Sequence, residues 1–156
     1  MTSVKYQQEC GACYSFTAIG AIESAYLIRG QNLNLAEQYI VDCSTAYENY
    51  GCVGGWTINA YKYIKDFGIA FESDYPYSGV FNNCTIGEDK TKYSIQNYVE
   101  IANDCNAVIS ALRNQPLSIA INADGWQHYS SGVYTDCRVG GSNHGVVLAG
   151  VDADNW

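Results

Sequence analysis

An α+β fold is predicted by three observations: amphipathic helical periodicity confined mainly to the first half of the chain, strand-like runs gathered in the second, and no alternation of the two that would build a parallel sheet. The change of texture falls near Tyr98, so residues 1–97 are expected to form a helical lobe and residues 98–156 a mainly β lobe.

Residues 13–29 place Phe16, Ile19, Ile22 and Tyr26 at three- and four-residue spacing and stop at Gly30, the pattern of an amphipathic helix with a glycine terminator. A second helix is predicted over 36–42 and a third over 57–67, where Ile58, Tyr61 and Ile64 repeat with helical period. The segments ENYGCVGGW and FESDYPYSGVFNNC are rich in Gly, Asn and Tyr and read as ordered loops held by cysteines. Beyond Tyr98 a short helix is expected over 106–113, followed by strands in LSIAIN, SGVYT and HGVVLAGV.

Composition narrows the function classes. Apolar residues make up 47% of the 156 and charged residues 15%, enough to bury a core and unlike a disordered chain. A formal net charge of −8 repels nucleic acid and anionic lipid, and no apolar run nears the ~20 residues needed to cross a bilayer. Seven cysteines point to an oxidising compartment, and the odd count leaves at least one thiol unpaired. No paired Cys-x-x-Cys units stand with a histidine cluster, so neither a metal nor another cofactor is expected.

The densest chemical signal is the run Gln7-Gln8-Glu9-Cys10-Gly11-Ala12-Cys13-Tyr14, which delivers Cys13 onto the first turn of the long helix. The positive end of a helix and its free N–H groups favour thiolate over thiol, the form that attacks a carbonyl. A backbone N–H at the helix start and the Gln7 amide are candidate donors to the oxyanion. The base must be one of two histidines. His144 lies 131 residues beyond Cys13 and opens the apolar run Gly145–Gly150, whereas His128 sits in a polar, turn-like stretch and reads as solvated.

Cys10-Gly11-Ala12-Cys13-Tyr14 satisfies the Cys-Gly-[Ser/Ala]-Cys-[Trp/Tyr] signature of papain and the cathepsins. Further landmarks follow in order: Ala36-Glu37-Gln38, Val41-Asp42-Cys43, Gly51-Cys52-Val53-Gly54-Gly55, Tyr75-Pro76-Tyr77, Asn114-Gln115-Pro116 and Asn143-His144-Gly145. On these residues the chain resembles the papain-like, cathepsin L-like cysteine peptidases along nearly its whole length. The resemblance implies a papain-like two-lobe fold with a helical left lobe and an incomplete β-barrel right lobe. It implies an endopeptidase in which Cys13 and His144 form a thiolate–imidazolium pair and pass through an acyl-enzyme, with Gln7 at the oxyanion hole.

The same resemblance pairs Cys10 with Cys52 and Cys43 with Cys84. It makes Gly54 and Gly55 the backbone that binds extended substrate, sets Asn143 just before the catalytic histidine, and makes Trp56, Ala120 and Gly145 walls of a pocket for a hydrophobic residue two positions before the cut. The implied partners are polypeptide substrates and propeptide or cystatin-like inhibitors, for a monomer that is lysosomal, vacuolar or secreted. A homologue that binds peptides without cutting them is the rival.

Departures bear on these expectations. Gln8 and Tyr14 stand where the family has Gly and Trp, so the loop before Cys13 loses a residue suited to an unusual backbone angle. No Asn-Ser-Trp motif follows His144; Asn155 is expected not to be the triad asparagine, and the chain is expected to be truncated at both ends. Cys137 resembles a right-lobe cysteine whose partner comes later, leaving a Cys105–Cys137 bridge as the other pairing. Asn83-Cys84-Thr85 fits an N-glycosylation acceptor.

Overall fold

The computed structural model describes residues 3–85, 92–135 and 140–152. Its elements in chain order are α1 (Cys13–Ile28), α2 (Glu37–Cys43), α3 (Thr57–Phe67), β1 (Ile69–Ala70), β2 (Lys92–Tyr93), α4 (Cys105–Leu112), β3 (Leu117–Ile121) and β4 (His144–Leu148). Helices dominate the first half and the β3–β4 ribbon lies in the second, the α+β segregation expected. Asn155 and Cys137, and with Cys137 the Cys105–Cys137 pairing, lie outside the described residues.

Helix α1 ends where Gly30 adopts φ +81 and the N–H groups of Arg29, Gly30 and Gln31 turn back onto the Tyr26 and Leu27 carbonyls. The structure corrects its predicted amphipathicity. Ser15, Thr17, Glu23 and Ser24 are buried along with Tyr14, Ala18, Ile19 and Ile22, so α1 is enclosed on most sides rather than on one stripe. The reason lies in what meets its small and polar positions. A Cβ added to Gly20 would lie 2.9 Å from Val147 Cγ2 of β4, while the apolar positions meet α2 and α3. The helix is a spine between the two halves.

The main core gathers Tyr14, Ile19, Leu35, Tyr39, Ile40, Ile64 and Ile69. Tyrosines do much of the filling. Tyr39 packs edge-on against both Tyr63 and Tyr75, and their hydroxyls stay satisfied: Tyr63 donates to Tyr39 at 3.1 Å and Tyr75 to Asp42 Oδ2 at 2.9 Å. Disulfides Cys10–Cys52 and Cys43–Cys84 staple this half. The antiparallel pairing of β1 with β2, Ile69 opposite Tyr93, keeps residues 92–93 with the helices.

Helix α4 begins one residue before its predicted start because the Asp104 carboxylate accepts from the Ala107 N–H at 3.0 Å. Strands β3 and β4 are antiparallel, with Ala120 opposite Gly145 and Ile121 opposite His144. The predicted strand at 131–135 does not form. Those residues are irregular, Gly132 takes φ +84, and the Tyr129 hydroxyl closes a tight loop on the Gly132 carbonyl at 2.7 Å. A β-rich sequence stays a loop when no neighbouring ladder takes up its backbone groups.

Candidate active site

The loop before α1 is clamped at three points. The Tyr77 hydroxyl donates to the Gln7 carbonyl at 2.7 Å, the Gln7 amide Nε2 donates to the Cys10 carbonyl at 3.0 Å, and the Gly11 N–H donates to the Cys52 carbonyl at 2.9 Å beside the Cys10–Cys52 bridge. Gln8 adopts φ +60, a left-handed angle that costs a non-glycine residue about 1–3 kcal/mol. The loop thus has a left-handed turn at the position where the resemblance led one to expect glycine. The Gln8 side chain lies over Gly79, where an added Cβ would fall 2.5 Å from its Oε1. Cys13 follows as the half-buried first residue of α1 and carries a free thiol. The opening N–H groups of any helix have no intrahelical partner, so the thiol shares its position with unspent donors.

His144 opens β4, and its neighbour Gly145 is pressed against the head of α1. A Cβ on Gly145 would lie 3.0 Å from Thr17 Oγ1 and 3.4 Å from the Cys13 carbonyl oxygen. On β3, the Ser118 hydroxyl donates to the Thr17 carbonyl at 3.0 Å, so both strands of the ribbon are fastened to the same turn of α1. The fold therefore brings the residue before Gly145 and the first residue of α1 into one neighbourhood.

Asn143 holds the adjoining loop. Its N–H donates to the Ile121 carbonyl at 2.9 Å, its Oδ1 accepts from the Ala123 N–H at 2.9 Å and its Nδ2 donates to Asp124 Oδ1 at 2.8 Å. With His144 and residues 123–128 it lines an open cavity of about 660 Å³. His128 is exposed, as the sequence reading had it, yet it lines the same cavity as His144. Sequence distance hides that proximity, since the two histidines are joined through the β3–β4 register rather than through any local motif.

Gly54 and Gly55 are glycines for different reasons. Gly54 takes φ +138 with open space around it, so its backbone angle excludes a side chain. At Gly55 an added Cβ would fall 2.4 Å from Asn49 Oδ1 and 3.0 Å from Tyr14 Cδ1, so crowding excludes one. Trp56 is 64% exposed and is not a core residue. Ala120, opposite Gly145, is exposed.

Behind the loop, Lys5 Nζ bonds Glu23 Oε1 at 2.9 Å and Glu37 Oε1 at 2.6 Å, with both carboxylates almost wholly buried. Burial pushes the Glu37 carboxyl up to about 7 against the pull of Lys5. Burial works against the charge on Lys5 too, but Glu37 and Glu23 outweigh it and hold the ammonium above its ordinary range. Tyr77 is raised to about 12 by burial and by the Glu37 charge. Glu37 and Tyr77 stood in the sequence landmarks without a role, and Lys5 and Glu23 were not singled out; the local signal is a glutamate, Glu23, among the apolar positions of α1.

Comparison with known proteins identifies the family. The model of the papain family of cysteine proteases matches residues 1–156. Cathepsin L 2 of Paramecium tetraurelia is 39% identical over 153 residues, covering 97% of this chain and 48% of the relative. The chain thus spans about half the length of such relatives. Among solved structures, the digestive procathepsin L 3 of Tenebrio molitor superposes with TM-score 0.89 at 37% identity, covering 98% of this chain and 53% of that one. A Carica candamarcensis cysteine protease in complex with E-64 gives TM-score 0.89 at 31% identity, covering 96% and 71%. With a thiol at the head of a central helix, a histidine-bearing strand packed on that head and a family match over the full length, this chain belongs to the papain family of cysteine proteases.

Proposed function

We propose that this chain carries the reacting core of a cysteine endopeptidase that binds an extended polypeptide across the groove between its helical part, residues 1–97, and its β part, residues 98–156. The observation that supports the reading is the packing of Gly145, the residue after His144, against the Cys13 carbonyl and Thr17.

In this mechanism Cys13 Sγ, as thiolate, attacks the scissile carbonyl carbon. The bond electrons move onto the carbonyl oxygen, which is met by a backbone N–H at the start of α1 and by the Gln7 amide. His144, as imidazolium, gives its proton to the departing amine, leaving a thioester on Cys13. A water then gives its proton to His144 and attacks the thioester, and the acid product leaves with the thiolate–imidazolium pair restored.

The bare backbone of Gly54 and Gly55 takes the edge of the substrate on the acyl side. Ala120 and Gly145 face each other across the ribbon and, with exposed Trp56, form an apolar wall for the residue two positions before the cut. Propeptides and protein inhibitors that run along the same groove are the natural protein ligands. Stapled Cys10–Cys52 and Cys43–Cys84 suit an oxidising or acidic site of action, lysosomal, vacuolar or secreted.

Fluorogenic peptides with a leucine or an aspartate two residues before the cut test the reading. Hydrolysis of the leucine peptide, lost in Cys13→Ser and in His144→Ala, is expected. Binding of the peptide with no hydrolysis by the unsubstituted chain would instead support a peptide-binding homologue.

A further inference from the structure

We propose that Asn49 is the positioning residue that turns the peptide groups of Gly55 toward the substrate. The proposal rests on the reading of Cys13 and His144 as the reacting pair and of Gly54–Gly55 as the substrate edge. Asn49 is 1% exposed, an expensive place for an amide unless every polar atom is used. Its Oδ1 accepts from the Trp56 N–H at 2.9 Å and its Nδ2 donates to Ser44 Oγ at 2.9 Å; the serine hydroxyl in turn donates to the Ile40 carbonyl of α2 at 2.6 Å. A chain of three hydrogen bonds thus runs from helix α2 to the residue that follows Gly55.

Trp56 is extended, at φ −115 and ψ 130, and its carbonyl accepts from the N–H groups of Asn59 and Ala60 at the start of α3. Both backbone groups of Trp56 therefore face the protein. Across a trans peptide the C=O and N–H point to opposite sides; the Gly54 carbonyl accepts from the Tyr50 N–H at 2.9 Å and the Trp56 N–H is held by Asn49, so the N–H and C=O of Gly55 point away from those two partners. Asn49 acts here as a one-residue substitute for a neighbouring strand. Glu48, at φ +61, makes the left-handed turn that delivers it, and the bare Cα of Gly55 admits it, because a Cβ there would fall 2.4 Å from Asn49 Oδ1.

The test uses the 156-residue chain and two probes of Cys13: a dipeptidyl epoxide, which must lie along the Gly54–Gly55 edge, and iodoacetamide, which has no peptide backbone to align. Loss of one buried hydrogen bond predicts that Asn49→Ala raises the epoxide KI about tenfold. Asn49→Asp, which keeps an oxygen for the Trp56 N–H, should stay within about threefold by the same argument. The maximal inactivation rate and the iodoacetamide rate should not change in either variant. Ser44→Ala, which frees the Asn49 amide without touching the Trp56 bond, should raise KI in the same direction.

KI unchanged in Asn49→Ala and Ser44→Ala, with melting curves showing both folded, would overturn the proposal. So would a parallel fall of KI affinity, inactivation rate and iodoacetamide rate, which marks general damage. If Asn49→Ala does not fold, the Ser44→Ala KI decides alone. Failure of the epoxide to label Cys13 in the unsubstituted chain, with iodoacetamide still reacting, would overturn the underlying functional reading and this proposal with it.

Discussion

The Ser118 hydroxyl of β3 donates to the Thr17 carbonyl of α1 at 3.0 Å, a bond between residues 101 positions apart. Having spent its only proton there, Ser118 accepts from the Tyr61 hydroxyl of α3 at 2.6 Å. One serine thus joins the central helix, the third helix and the β ribbon. Ser118→Ala removes both bonds and leaves the Thr17 carbonyl and Tyr61 hydroxyl short of a partner. The expected loss is about 1–3 kcal/mol in urea unfolding. A Tyr61→Phe variant should lose less, since it leaves the Ser118–Thr17 bond in place; equal losses would contradict this division of roles.

Gly145 is where β4 packs tightly on the head of α1. Alanine there needs Thr17 to yield by a few tenths of an ångström, whereas valine adds two methyl groups where the Thr17 hydroxyl and the Cys13 carbonyl already lie within 3.0 and 3.4 Å of a Cβ. Gly145→Val is expected to destabilise the chain by about 1–3 kcal/mol through overpacking. It should also slow epoxide labelling of Cys13 by displacing His144, while Gly145→Ala remains close to the parent. The paired labelling rates check this.

The buried Glu37 makes stability depend on pH in a direction opposite to that of a paired surface carboxylate. Its folded pKa, about 7, lies above the ordinary 4.5, so the folded chain holds more protons than the unfolded chain between those values. Stability therefore falls as pH rises through that window and is recovered on acidification. Melting midpoints measured from pH 4.5 to 7.5 should decline across the window in the parent. In Glu37→Gln the decline should be shallower, because the titrating carboxyl is gone.

The Cys10–Cys52 bridge closes 42 residues and lies beside the Gly11–Cys52 hydrogen bond that clamps the nucleophile loop. Cys10→Ser with Cys52→Ser is expected to cost about 2–4 kcal/mol. The same change should slow Cys13 labelling more than the double serine variant of Cys43 and Cys84 does, since neither of those cysteines belongs to the loop. Comparison of the two double variants checks the claim.

Much of this was legible in residues alone, and the rest fails for identifiable reasons. Thr57–Phe67 was readable to the residue because its periodicity is uninterrupted and Gly68 ends it. The spacing from Cys13 to His144 pointed to a base on the last strand-like run, and the structure packs the next residue, Gly145, on the head of α1. The environment of α1 was misread, since periodicity reports one buried stripe and is silent when a second layer covers the small and polar side through Gly20 and Thr17. The strand expected at 131–135 had the composition of a strand without a ladder to join. Asn49, Lys5 and Glu23 carried no motif at all; their roles come from contacts with residues 7 to 32 positions away.

The most direct test of the account is peptide mapping of the chain after reaction with a peptidyl epoxide. The account predicts modification of Cys13 alone, abolished in His144→Ala while that variant stays folded. Labelling of exposed Cys105 with Cys13 inert, or Cys13 labelling undiminished in His144→Ala, would contradict it.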